Sequence, residues 1–487
     1  MPDAQRHGRS RHQIVGLILG PLLATAMLLS DPPQGLSQAG WSTAAIGILM
    51  AVWWATEAVP IAVTALLPIV VFPLLDVATI HDATAPYANK VIYLFLGGFI
   101  VSFAMQRWNL HRRIALWVLR HVGGNGRSLV GGFMLASAAV SMWVMNTSTT
   151  MMMLPIAVSI IGVIHGTVGD LDDEGRKNFQ YSLLLGVAYG ATIGGMATLV
   201  GTAPNAIMVG FMQETYGTEI DFSSWMLVGV PLTALMLPLA WFVLTRVAFR
   251  VDFETSGESR AALVRMRDEL GPISMPEKRV AAVFVVMAAA WVLRPLLVNV
   301  PGLAALDDSA IAIAGAIMLF VVPSGDREDP LLLRWRYAEQ LPFGVLLLFG
   351  GGMSLARQVS DTGLAVWIGG NLEAIGSLPL PAIVVIAAAM IIFLTELTSN
   401  IATTTTFLPV VAAVAVESGI DPIVLTVPIT FAASCAFMLP VATPPNAIVF
   451  GSGMLTIPKM VRAGMMLNLV GIFVVSLVAL YLGPRFL

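Results

Sequence analysis

An all-α polytopic membrane protein is the fold class this sequence predicts. Three observations carry that reading. Of the 487 residues, 57% are hydrophobic and only 11% are charged, against about 25% charged in a soluble globular chain. The mean hydropathy is +0.84. Apolar stretches of roughly 20 residues, enough to cross a bilayer core of about 30 Å, recur along the whole length.

In order, the apolar runs predict about 11 transmembrane helices, near 14–30, 42–58, 60–76, 91–105, 180–212, 225–245, 279–297, 308–323, 342–358, 423–450 and 464–483. The first has a basic head and Ala24-Thr25-Ala26 at its end, as a signal peptide does. Further spans follow at once, so an uncleaved membrane helix is expected. Two more runs, 129–165 and 381–418, are interrupted midway by polar residues. Each can be drawn as a re-entrant hairpin or as a pair of full spans.

Lys and Arg set the orientation. With a cytoplasmic N-terminus, 22 of the 26 fall inside, leaving Lys90, Arg294, Arg357 and Arg485 outside. Such a bias is the usual mark of the cytoplasmic face of a cell-membrane protein. The largest polar connection, 250–279, separates two halves, and 107–121 alternates basic and apolar residues as an interfacial helix does. The net charge of −3 says little about partners, since distribution matters more than sum in a membrane protein; the lipid bilayer is the expected surrounding and no nucleic-acid partner is expected. No phosphate-binding loop or zinc-type Cys/His spacing is present, so transport energy would not come from a nucleotide bound to this chain. The single Cys435 excludes an internal disulfide framework and reads as a small buried apolar residue.

Three blocks recur in the same order. "FLGGF" (95–99) answers "FGGGM" (349–353), and "MNTSTTMMMLP" (145–155) answers "SNIATTTTFLP" (399–409). "ATLVGTAPNAIMVG" (197–210) answers "LPVATPPNAIVFG" (439–451). By the charge bias the first copy of the glycine block runs outside to inside and the second inside to outside, so the repeats are inverted. Inverted repeats with broken helices at matching places point to a secondary transporter with a midplane site.

The chemistry follows from the breaks. Proline lacks an amide hydrogen, so helices 180–212 and 423–450 should break at their Pro-Asn motifs. Freed carbonyls and Ser, Thr and Asn oxygens suit a hard monovalent cation such as sodium. Freed amides at helix starts suit a carboxylate or sulfate. With almost no Lys or Arg in these segments, an anion would be held by dipoles, hydrogen bonds and co-bound cations.

"WATEAVP" (54–60), the Asn-Thr and Thr-rich runs, "TSNIATTT", "GTAPNAI" and "LPVATPPNAIVFG" resemble the divalent anion/sodium symporters, from about residue 40 to the end. The resemblance implies a homodimer with a static scaffold and a transport domain moving as an elevator. It also implies that the interrupted runs are hairpins whose tips meet at the site. Carried over by motif, a first Na+ site would use Ser141, the Met145 backbone, Asn146 and Gly201. A second would use Thr395, Ser399, Asn400 and Ala442. Substrate carboxylates would meet Asn146, Thr147, Asn400 and Ile401, with Thr202 and Pro444 nearby. Residues 1–90 would be scaffold helices and 91–224 the transport region of the first repeat. Scaffold helices and the linker would follow in 225–341, and the second repeat in 342–487.

Two positions depart from the family's Ser-Asn-Thr pattern. Met145 replaces a hydroxyl with a thioether, which leaves only its backbone carbonyl as a hard-cation ligand. Ile401 removes a hydroxyl donor from the substrate side. Glu396 and Glu57 are intramembrane carboxylates, functional or hydrogen-bonded structural groups, and Glu396 is the candidate if protons contribute. Asp172-Asp173 and Asp307-Asp308 read as solvated loops. Sodium-coupled symport of C4 dicarboxylates (succinate, malate, fumarate) is the leading expectation, and the chain is not expected to be an enzyme. A sodium-independent exchanger, a sodium/sulfate or citrate symporter, a channel and a polytopic membrane enzyme are the competing readings.

Overall fold

A computed structural model describes residues 10–121, 123–168, 171–254, 257–326, 329–370 and 378–487. Arg6, Arg9 and Arg327, which enter the charge count, lie outside the described residues. Nine of the described helices are long and apolar enough to cross a membrane by length and composition. Shorter apolar helices accompany them at Ile61–Leu74, Asp308–Val321, Leu380–Thr395 and Pro422–Ser434.

The chain opens with α1 (Arg11–Leu28), started by a Ser10/Gln13 capping box and packed along α2 (Gln38–Thr56). Glu57 ends α2 in the left-handed region at φ 48° and is exposed, so this carboxylate is a helix stop rather than part of a buried cluster. Short helices α3 (Ile61–Thr64), α4 (Leu67–Leu74) and α5 (Ile80–Thr84) lead to α6 (Lys90–Arg107). The amphipathic α7 (Leu110–Leu119) follows, with Leu110, Ala115, Leu116 and Leu119 buried and Trp117 exposed.

Each of the two interrupted runs is a pair of helices joined by a short connection. The first is α8 (Gly126–Ser141) and α9 (Asn146–Thr167), joined by residues 142–145. Next come α10 (Asp173–Gly195) and α11 (Ala203–Tyr216), the two halves of one broken span. The second half of the chain begins after α12 (Phe222–Phe242), the linker helix α13 (Gly257–Asp268), α14 (Met275–Leu297), α15 (Asp308–Val321) and α16 (Trp335–Ala338). It then repeats the order: α17 (Phe343–Asp361), α18 (Leu364–Gly370), the pair α19 (Leu380–Thr395) and α20 (Asn400–Glu417), and the halves α21 (Pro422–Ser434) and α22 (Pro444–Gly451). The long α23 (Ile457–Phe486) closes the chain.

Proline does not act as the sequence suggested. Pro155, Pro409 and Pro428 sit inside helices without ending them. Pro204, Pro444 and Pro445 instead occupy the first turns of α11 and α22. There the missing amide hydrogen costs nothing and the fixed φ favours a helix start. The breaks precede these prolines, at residues 196–202 and 435–443.

The repeated glycine blocks are packing devices. A Cβ on Gly97 would lie 2.5 Å from the Ala312 carbonyl carbon, so α6 and α15 meet backbone to backbone. Since backbone cannot yield as a side chain can, Gly97→Ala is expected to destabilise by ~1–3 kcal/mol. A lower melting temperature of the purified protein would show it.

Asp307 and Asp308 correct the loop reading. Asp307 caps α15 through the Ser309 amide and pairs with Lys90 at 3.1 Å. Burial works against its charge, yet Ser309 and Lys90 hold its carboxyl below the ordinary carboxylate range. Asp308 is buried, accepts the Phe222 amide at 2.8 Å and pairs with Arg294 at 3.4 Å. A carboxylate can be buried when a cation and an amide replace its water.

Candidate functional site

The first hairpin tip is built by two helix ends. Ser141 closes α8 and Asn146 opens α9, five residues apart in sequence. The Asn146 carboxamide places one terminal atom 2.6 Å from Ser141 Oγ and 3.2 Å from the carbonyl oxygens of Gly201 and Ala191. Two states satisfy that geometry. With nitrogen there, the two amide hydrogens are shared among the three oxygens. With oxygen there, the Ser141 hydroxyl donates to it at 2.6 Å while the two carbonyls face it unpaired, an oxygen cluster that a cation would complete.

Glycine is what lets the tip approach the break. A Cβ on Gly195 would fall 2.5 Å from Asn146 Oδ1, and one on Gly201 would strike the Gly195 carbonyl. The tip therefore sits at the level of the break between α10 and α11. Beyond that level α11 continues for 14 residues, about 21 Å at 1.5 Å per residue. The first tip thus meets the broken span at its break, and its second arm, α9, is itself 22 residues long and apolar enough to cross a membrane.

The second tip repeats the pattern with Thr395 in place of Ser141. Thr395 Oγ1 lies 3.1 Å from Asn400 Oδ1 and 3.0 Å from the Ala433 carbonyl oxygen. The Thr395 hydroxyl is thus shared between two oxygens, and polar atoms gather at this tip as at the first. Among the described residues no three His, Cys, Asp or Glu side chains gather to hold a metal ion. Neutral oxygens at both tips suit a weakly held monovalent cation.

Two residues outside the expected sets hold the breaks open. Asn205 Nδ2 donates to Thr198 O at 2.7 Å and to Gly195 O at 3.2 Å. Asn446 Nδ2 repeats this with Leu439 O at 3.0 Å and Ala436 O at 3.1 Å. These amides consume carbonyls that the sequence reading had left free for ions. The repeated Asn directly after Pro was the available signal.

Glu396 does the complementary job for amides. Its carboxylate accepts Phe437 N at 2.7 Å, Met438 N at 2.9 Å, Leu439 N at 3.0 Å and Asn468 Nδ2 at 2.7 Å. Four donors saturate it, which favours the structural reading of this residue over the proton-carrying one. Met142 stands at the matching position of the first repeat, so this brace belongs to one half only.

The remaining expected residues fall around the tips. Ser141, Gly201, Thr395 and Ala442 are buried, whereas Asn146, Thr147, Thr202, Asn400 and Ile401 are partly accessible and Pro444 is exposed. The structure brings Ser141, Asn146 and Gly201 together, and Thr395 with Asn400. No hydrogen bond joins the Ser399 side chain to Asn400 among the described residues. Met145 is the N-cap of α9 without a side-chain cap, and its carbonyl accepts Thr149 N at 3.0 Å, leaving one lone pair. Ser399 also makes no side-chain cap, so both α9 and α20 begin with side-chain-uncapped amides.

Packing between the halves is crossed. The second arm α9 packs on α22 of the other repeat, and α20 packs on α11. Each hairpin thus meets its own break at the tip and the opposite repeat along its arm.

A family model for the transmembrane region of sodium:sulfate symporters matches residues 11–485. The "Sodium-dependent dicarboxylate transporter SdcS" of Staphylococcus saprophyticus is 41% identical over 475 residues, covering 97% of this chain and 92% of its own length. The protein of the same name from Staphylococcus aureus strain MW2 is 41% identical over 478 residues, covering 98% and 92%. Among solved structures, the YdaH transporter of Alcanivorax borkumensis is similar with a TM-score of 0.56 over 97% of both chains. At 12% identity that likeness speaks to the fold alone.

Proposed function

The chain belongs to the sodium:sulfate symporter family, and from that premise we propose that it is a secondary transporter carrying C4 dicarboxylates across the membrane together with sodium. It is a transporter and not an enzyme, and the sodium-dependent dicarboxylate carriers it resembles span nearly its whole length. The single observation that carries the coupling is the Asn146 amide, surrounded by Ser141 Oγ and the Gly201 and Ala191 carbonyls. Asn146, Ser141, Gly201 and the free lone pair of the Met145 carbonyl would hold one sodium. Thr395, Asn400, Ser399 and Ala442 would hold another.

The substrate carboxylates would lie against the open starts of α9 and α20, where Asn146, Thr147, Asn400 and Ile401 are accessible, with Thr202 and Pro444 alongside. Helix N-termini carry partial positive charge and free amides, so they favour an anion. Sodium at the adjacent oxygens adds the charge that this arginine-poor site lacks. Affinity for the dianion then depends on sodium, which is the physical basis of coupling.

Movement would follow an elevator. What supports this is the matching order of helix, hairpin and broken helix in the two halves. In this reading the N-terminus is cytoplasmic, by the placement of 22 of 26 Lys and Arg, and the working unit is a homodimer in the cell membrane.

The test is uptake of labelled succinate into proteoliposomes with sodium or choline outside. Uptake in sodium only, competed by malate and fumarate but not by sulfate, is expected. Equal uptake in choline, requiring dicarboxylate inside, would replace symport with exchange. Met145→Ser restores a hydroxyl beside Asn146 and is expected to lower the sodium concentration for half-maximal uptake about threefold to tenfold, the worth of roughly one neutral ligand. A sodium titration of uptake reads it.

A further inference from the structure

A basic cavity lies away from the tips. A cavity of about 260 Å³ opens between the end of α7, the entry to α8 and the linker helix α13. Arg120, Arg260 and Arg267 line it, over a floor that includes Leu116, Leu119 and Leu263. On α13, positions 260, 263, 264 and 267 recur at the spacing of one helix face, so two arginines and two apolar residues are presented together.

The charges here are not balanced by protein. Arg267 reaches only the neighbouring, exposed Asp268 at 2.6 Å, and among the described residues no carboxylate pairs with Arg120 or Arg260. Other basic residues near this face do find acids: Arg113 pairs with Glu277 at 2.8 Å and Arg127 with Asp252 at 2.9 Å. Three guanidinium groups around one small cavity repel each other until an anion joins them. Guanidinium forks match phosphate oxygens in particular.

The floor narrows the ligand class. Buried leucines directly beneath arginines suit a molecule whose charge is attached to an apolar part. The setting agrees, since α7 turns Trp117 outward on its other side, as interfacial helices do at headgroup depth. We propose that this cavity binds the phosphate of an anionic phospholipid, with the glycerol and upper acyl portion lying on the leucine floor. Basic pockets at this depth are the usual sites for anionic headgroups. The orientation proposed above makes this the inner leaflet. The bound lipid would join α7, the entry to the first hairpin and the linker.

The test uses purified full-length protein in uncharged detergent, with melting temperature as the readout. Short-chain phosphatidylglycerol is expected to raise it in a saturable way, and phosphatidylcholine of equal chain length is not. The double variant Arg120→Gln/Arg260→Gln should need at least ~10-fold more phosphatidylglycerol for the same shift. Arg265→Gln, on the opposite face of α13, should behave as wild type. Inorganic phosphate matching the lipid's effect would keep the site but make its ligand a soluble phosphate. No shift in the wild type, or an equal shift in the double variant, would overturn the proposal. The readout does not depend on transport, so it stands apart from the outcome of the uptake experiment.

Discussion

Asn146→Ala is expected to raise the sodium concentration for half-maximal succinate uptake by roughly 10–100-fold. The variant removes the carboxamide that Ser141 Oγ and the Gly201 and Ala191 carbonyls surround. A polar contact to a charged group is worth ~1.5–3 kcal/mol, and each 1.4 kcal/mol is about tenfold in affinity. The side chain is replaced by a smaller one at a partly accessible position, so the fold should survive. Asn146→Asp separates the roles further. An added negative charge should keep or strengthen sodium binding, while repelling the dicarboxylate at the start of α9. Sodium-induced thermal stabilisation together with lost succinate uptake is the expected pair of results. Loss of both, or of neither, would place the cation elsewhere.

Glu396→Ala is expected to unfold or nearly unfold the protein. The change strips the acceptor from three consecutive backbone amides and from Asn468 in the interior of the second repeat. Leaving a buried charged network half made costs ~3–5 kcal/mol, a large part of a total stability of ~5–15 kcal/mol. Glu396→Gln keeps one acceptor oxygen but turns an amide donor towards other donors. Stability should therefore fall in the order Glu396, Gln, Ala, measured by thermal melting in detergent. A Glu396→Gln protein that melts like wild type yet loses the pH dependence of uptake would favour the proton-carrying role instead.

The class and much of the layout were legible because membrane helices are written in long apolar runs. The matching order of α6, the first hairpin and its broken helix with α17, the second hairpin and its broken helix was legible in three recurring blocks. Chemistry within the breaks was less so. Proline marked their neighbourhood, but Pro155 and Pro409 lie inside continuous helices, because a missing hydrogen bond is tolerated when neighbours pack around it. What sets the breaks are partners distant from the local pattern: Asn205 and Asn446 collecting carbonyls, and Glu396 collecting amides supplied 41 to 43 residues later. No local spacing encodes those pairings. Asp308 misled for the same reason, since its cation, Arg294, and its amide, Phe222, belong to other elements. The tips were readable as polar interruptions, while the oxygens gathered around Asn146 and Thr395 needed the fold.

In the proposed function two neutral-oxygen clusters, one from each repeat, bind sodium for a single substrate event. A sodium titration of succinate uptake by wild-type protein in proteoliposomes tests it most directly. Two coupled sites predict a sigmoidal dependence, with a Hill coefficient above one and approaching about two. A hyperbolic curve, or uptake that persists without sodium, would contradict it.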